Sequence, residues 1–192
     1  EVVPIEENII VVGSQKAPIM DATRPTNDSV KISYIEQLSG NRLVDGLSAI
    51  GQQDDDIFLV LCDEYVVAPR LVQMLEEFNS NKVVLGYEKV KTLDQVKQTF
   101  CFDIDLNKAN NFIEKPSNPT LMVRGTGHII FPKKIFNLIQ SNIKMFNDIA
   151  DVLNYAANSG DGVVPVEIGR KFFNINTNEN LEELRSYFAN EN

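Results

Sequence analysis

The stretch IFLVLCDEYVV, Ile57 to Val67, decides the fold. Its first five residues are uninterrupted apolar chain, too short for a solitary helix and suited to a strand covered on both faces, running from Ile57 to about Leu61. Cys62 and Asp63 then end the run and place a carboxylate at the carboxyl edge of a strand.

Working outward, Ile9 to Val12 is a second β-branched run that reads as a strand buried on both faces, and Val30 to Ile35 alternates as a third. Leu43, Leu47 and Ile50 repeat at helical spacing. Past Pro69, Leu71, Met74, Leu75 and Phe78 share one helical face, and Lys82 to Gly86 is another buried strand. Strand and helix in alternation need crossover connections, so the pattern predicts an α/β fold, Rossmann-like, with a mixed, mostly parallel sheet and helices on both faces. From Val90 the pattern changes to two antiparallel strands around Asp-Leu-Asn-Lys at 105–108, a strand at His128 to Phe131, and helices marked by Ile135, Leu138 and Ile139, by Ile149, Val152, Leu153 and Ala156, and by Leu181, Leu184 and Phe188.

The chain has 192 residues, enough to bury a full core in one domain spanning 1–192. With 27 acidic and 18 basic residues its net charge is −9, which repels a phosphate backbone and argues against nucleic acid as partner. There is no apolar run of membrane-spanning length, and no membrane partner is expected. Two cysteines without paired spacing and one histidine exclude a zinc cluster and fit a reducing cytoplasmic setting. A homo-oligomer is admitted by the sequence but not specified by it.

Two stretches could carry chemistry. In NFIEKPSNPT, Asn111 to Thr120, Pro116 ends a strand and pushes Lys115 toward an extended conformation, leaving Glu114 and Lys115 at the rim. They are either a solvated ion pair or a ligand site. Asp63 either terminates its strand or holds Mg²⁺, which takes one or two protein carboxylates and completes its shell with water and substrate phosphates. Asp54, Asp55 and Asp56 precede the strand and read as a solvated turn, and His128 reads as a satisfied structural histidine.

Taken in order, YIEQ at 34–37, LVLCD at 59–63, FIEKP at 112–116, GHIIF at 127–131, NDIADV at 147–152 and FFNINTNENLEEL at 172–184 resemble the sugar nucleotidyltransferases, or nucleotide-sugar pyrophosphorylases. That resemblance implies a fold of the nucleotide-diphospho-sugar transferase type. It implies that Gln37 pairs with the nucleobase, Glu114 accepts sugar hydroxyls, Lys115 neutralises the sugar phosphate, Gly127 lies against substrate, and Asp63 with Asn174 holds Mg²⁺. Lys115 and Asp63 are then the catalytic pair, and the partners are a nucleoside triphosphate and a sugar 1-phosphate. Asp63 and the Glu114–Lys115 pair are expected on one rim facing a common cleft.

The departures are specific. The family's amino-terminal strand and glycine-rich loop with a basic residue do not occur in these 192 residues, so the domain is expected to be N-terminally incomplete. Cys62 stands where the resemblance expects glycine, as does Arg42, and Asn174 where it expects a metal carboxylate. Two alternatives follow: a non-catalytic nucleotide-sugar-binding or regulatory homologue, and a metal-dependent glycosyltransferase, for which LCDEY supplies only one aspartate.

Overall fold

The structure, a computed structural model, describes residues 5–23, 30–40, 42–78, 81–119, 121–159 and 162–191. Its elements run β1 (Glu7–Val12), α1 (Lys16–Ala22), β2 (Lys31–Glu36), α2 (Leu43–Ile50), β3 (Ile57–Leu59), β4 (Glu64–Val67), α3 (Leu71–Glu77), β5 (Val83–Lys89) and α4 (Leu93–Val96). They continue β6 (Phe100–Asp105), β7 (Lys108–Glu114), β8 (Val123–Phe131), α5 (Lys133–Asn142), α6 (Ile149–Ser159), β9 (Val163–Glu167), β10 (Lys171–Asn174) and α7 (Asn178–Glu191).

The central sheet has six strands in the order β3-β8-β5-β9-β7-β6. Successive side chains of a strand face opposite ways, and both faces here are covered. On one, Val83, Leu85, Ile129 and Phe131 pack against Val44 and Leu47 of α2, Ile135, Phe136 and Ile139 of α5, and Val152, Leu153 and Ala156 of α6. On the other, Val84, Ile130 and Val166 meet Met74 of α3. Two-sided cover explains the apolar run Val83 to Leu85. The run expected from Ile57 to about Leu61 is a strand only from Ile57 to Leu59, half-buried at the edge of the sheet with Val60 49% exposed, so the expected cover on both faces is not found there.

The α/β class and the helices on both faces are as the sequence predicts, but strand direction is not mostly parallel. Among the described residues, parallel pairing is confined to β5 with β9 and β1 with β2, while β8 runs antiparallel to both β3 and β5, and β7 pairs antiparallel with both β6 and β9. Apolar continuity carries no information about direction, because covered strands run in either direction. The β6–β7 turn is the expected one: Leu106 and Asn107 both have positive φ, 46° and 63°, the two-residue hairpin geometry whose twist matches the flanking strands.

Strands β1 and β2 form a separate parallel pair in register from Glu7 with Lys31 to Val12 with Glu36. The expectation that Ile9 to Val12 is buried on both faces fails for most of the run: only Val12 is fully buried. Helix α2 covers one face, where the space beside Gly46 adjoins Val11, but α1 buries no residue, and no third strand pairs with β1 among the described residues. Strand β9 escapes sequence reading because Pro165 interrupts VVPVE. The proline is tolerated because β9 is fully paired only with β5 and meets β7 at one bridge, Ala109 with Val163.

The acidic turn does structural work: Asp56 Oδ1 accepts the Lys133 N–H at the start of α5, at 2.7 Å. The closing helix turns Leu181, Leu184 and Tyr187 inward, with Phe188 left 38% exposed at its edge.

Candidate active site

The residues singled out in the sequence fall into two groups. The first gathers at the carboxyl end of β7. Glu114 is the last residue of that strand and lies opposite Phe100 of β6, and the Lys115 N–H donates to Thr99 O at 2.7 Å. The expected extended Lys115 is not found: its φ is +42°. The hydrogen bond to Thr99 carries the ladder one residue past Glu114, and the chain must then turn sharply to enter Pro116. A left-handed non-glycine residue costs energy that surrounding structure must hold in place.

Glu114 Oε2 is buried and has no hydrogen-bond partner. Burial and the nearby Asp148 carboxylate push the Glu114 carboxyl above its ordinary range, and the Lys115 ammonium partly offsets them. Asp148 is a residue that sequence reading did not single out. It precedes α6, where its Oδ1 accepts the Asp151 N–H at 3.0 Å while Asp151 Oδ2 accepts the Asn147 N–H at 2.8 Å. Asn-Asp-x-x-Asp ahead of an apolar run was a legible capping signal, and the cap is what fixes Asp148 beside Glu114.

A line of contacts ties Gln37 to this group. Gln37 N–H donates to Val12 O, and its Nε2 donates to Gly40 O at 3.1 Å. Arg42 then opens α2 with a forked pair of bonds onto Asp45, Nη2 to Oδ1 at 2.8 Å and Nε to Oδ2 at 3.1 Å, and its Nη1 reaches Asn147 O at 3.4 Å. Where a glycine was expected, a guanidinium sits between the Gln37 loop and the Asp148 cap.

The second group surrounds Asp63. A turn closed by Glu64 N–H on Leu61 O carries Cys62, which is exposed, and Asp63. Asp63 O accepts the Ile175 N–H at 2.7 Å, and Asn174 stands opposite Glu64 in the β4–β10 ladder, so the two expected metal residues occupy adjacent positions of one antiparallel pair. Asn174 Oδ1 already accepts from Asn176 Nδ2 at 2.6 Å. Among the described residues no group of three or more His, Cys, Asp or Glu is arranged to hold a metal ion. One carboxylate and one amide oxygen are hard donors that fit Mg²⁺ only as an ion completed by waters and substrate phosphates.

Gly127 is committed to the fold. Its N–H donates to both oxygens of Glu64, at 2.8 and 2.9 Å, and Leu61 fills the space a side chain there would need. Its neighbour His128 is buried with Nδ1 3.1 Å from Glu64 Oε2, the satisfied structural histidine the sequence suggested.

Strand β8 joins the groups. Gly125 and Gly127 lie two residues apart, hence on one face, and the Phe100 ring occupies the space beside Gly125 as Leu61 does beside Gly127. The strands leading to Glu114 and Asp63 thus converge on one short length of β8. A separate cavity of about 280 Å³, lined by Gln73, Glu77, Tyr87 and Val164 among others, contains none of these residues.

Comparison with known proteins agrees with this architecture. A family model described as nucleotidyl transferase matches residues 3–170, and the chain belongs to that family. No curated protein sequence matches it. Among solved structures, a UDP-glucose pyrophosphorylase complexed with UDP-glucose superposes with a TM-score of 0.80 at 14% identity, over 97% of this chain and 82% of that one. A UTP-bound UGPase from Acinetobacter baumannii gives 0.76 at 16% identity, over 98% and 78%. A Bacillus anthracis protein described as a glucose-1-phosphate thymidylyltransferase, in complex with sucrose, gives 0.74 at 17% identity, over 93% and 74%. At such identities the likeness establishes the fold, that of the sugar nucleotidyltransferases.

Proposed function

We propose that the protein binds a nucleoside triphosphate and a sugar 1-phosphate and, with a phosphate-cradling segment of the kind absent from these 192 residues, joins them into a nucleoside-diphosphate sugar. A phosphate oxygen of the sugar 1-phosphate attacks the α-phosphorus, one P–O bond forms, the α–β bridging P–O bond breaks, and pyrophosphate leaves with the electron pair. Such in-line transfer needs alignment and charge neutralisation more than a base.

The observation that carries this reading is the unpartnered, buried Oε2 of Glu114 beside Asp148 and Lys115. A buried acceptor left unsatisfied costs free energy that a donor relieves, and sugar hydroxyls are donors. Two carboxylates at one strand end can take several hydroxyls, and Lys115 supplies the compact positive charge a phosphate needs. Gln37 would contact the base once its amide leaves Gly40. Mg²⁺, when bound by Asp63 and Asn174, supplies neutralisation of the phosphate charges. A place in the cytoplasm accords with two free cysteines and with the absence, among the described residues, of a helix long and apolar enough to cross a membrane.

A second reading, binding without turnover, is favoured by Arg42. Its guanidinium is locked onto Asp45 at the start of α2, where the resemblance expects only glycine. Calorimetry with a panel of nucleotides and sugar 1-phosphates, followed by pyrophosphate exchange with Mg²⁺, tests both readings. Binding of a sugar 1-phosphate with exchange supports the enzyme, and binding without exchange supports the second reading. No binding of any panel member removes both.

A further inference from the structure

Glu64 is a buried carboxylate that the proposed chemistry does not use. Its side chain is 4% exposed, and it receives the Gly127 N–H on both oxygens and the His128 ring on one. Burial pushes its carboxyl upward, while His128 and the Gly127 N–H pull the other way. These donors are successive residues of β8, an interior strand of the main sheet. Glu64 itself belongs to β4, which pairs with β10 and with no strand of that sheet.

The carboxylate is therefore a side-chain link between two sheets that share no ladder. What it links is specific. Glu64 directly follows Asp63, lies opposite Asn174, and ends the Leu61–Glu64 turn that exposes Cys62. Leu61, at the other end of that turn, packs against the same glycine whose N–H the carboxylate takes. An apolar side chain could bury as much surface here, and a buried carboxylate is expensive unless its donors are fixed. A carboxylate fastened to a backbone N–H of an interior strand restricts the turn in a way an apolar contact does not.

We propose that Glu64 is a positioning residue: its contacts with Gly127 and His128 hold the Asp63 turn and the Asn174 strand in the arrangement that binds a divalent cation. The proposal rests on the reading of Asp63 as a metal residue. Glu64 takes the place of the outer partners that orient metal ligands elsewhere, whose loss typically lowers metal affinity about 10–100-fold.

The test uses Mn²⁺ with inorganic pyrophosphate, which supplies the phosphate oxygens the site needs, followed by water-proton relaxation, which detects weak sites. Glu64→Gln keeps the size but sets an amide NH₂ against the Gly127 N–H or His128, and is expected to weaken Mn²⁺ binding about tenfold or more. In an Asp63→Asn background the same change is expected to add no further loss, because the group being positioned is gone. His128→Gln, which leaves the Gly127 bonds in place, should give a smaller loss in the same direction and decides the matter if Glu64→Gln does not fold. Unchanged Mn²⁺ affinity with a lowered melting temperature overturns the proposal and leaves Glu64 as a fastening only. Equal losses with and without Asp63 overturn it as well. A wild-type protein that binds no Mn²⁺ with pyrophosphate present removes the metal reading beneath it, and this is seen before any variant is made.

Discussion

Glu114 lies close enough to Asp148 for that carboxylate to oppose its ionisation, and its own Oε2 is buried without a partner. Both effects hold a proton on Glu114 at pH values where an unfolded chain has lost it. Between the ordinary value of 4.5 and the raised one, the folded state binds more protons than the unfolded state, so stability falls as pH rises through that window. Glu114→Gln removes the loss. Denaturant midpoints should show the variant gaining on wild type as pH rises above about 4.5, with no gain below it. A constant difference from pH 4 to 7 would contradict the assignment.

Lys115→Ala should weaken binding of a sugar phosphate far more than binding of the matching free sugar, because one charge-assisted contact to phosphate is worth on the order of 1.5–3 kcal/mol. The positive φ of Lys115 sharpens the test. Alanine keeps the β-carbon and its strain, whereas Lys115→Gly relieves it. If the lysine acts on phosphate, both variants lose the same affinity while the glycine variant alone melts higher than alanine. Calorimetry showing equal losses for phosphate and free sugar would refute the role.

How far the sequence revealed all this depended on whether the deciding interaction was local. The helical face of α3, the Leu106–Asn107 turn and the apolar β5 are written in near neighbours, and each is found as read. Strand direction is not local. Val83 to Leu85 would look the same beside a parallel or an antiparallel β8, and only the chain path from the β6–β7 hairpin reverses β8. At the site, Pro116 marked the end of β7 correctly but not the left-handed turn of Lys115, which follows from a backbone bond to Thr99 sixteen residues earlier. Glu64 escaped notice because its partners lie on β8, over sixty residues away, and a glutamate after an aspartate advertises nothing.

Gly125 is where close packing on β8 can be read as stability. The Phe100 ring stands where a side chain at Gly125 would be, and Phe100 itself contacts Phe102 and Phe112 in the core, with ring centroids 6.4 and 6.3 Å away. A ring held on several sides cannot retreat freely. Gly125→Ala should therefore destabilise by overpacking, by about 1–3 kcal/mol, which a urea midpoint would register. Phe100→Leu in the same chain should recover part of that loss, since it vacates the space. Additive losses in the double variant would show that Phe100 does not occupy the position.

Asn174→Asp sets two effects against each other, and their signs can be separated. A second carboxylate strengthens a hard-oxygen site, so Mg²⁺ affinity should rise. Yet Asn174 stands directly across the ladder from Glu64, and like charges in that relation destabilise by about 0.2–1 kcal/mol. Aspartate also loses nothing as an acceptor for Asn176, so that bond survives. Without metal, the variant should melt below wild type by up to about 4 °C, the shift that 1 kcal/mol produces in a domain of this size. Adding Mg²⁺ should then raise the melting temperature of the variant more than that of wild type, because a cation held by Asp63 and the new carboxylate offsets the added negative charge and stabilises the folded state in proportion to its affinity. Asp63→Asn in the same chain should abolish the extra rise. Were the variant to melt lower and gain no more from Mg²⁺ than wild type, Asn174 would stand apart from the cation, and Asp63 alone would remain as its protein ligand.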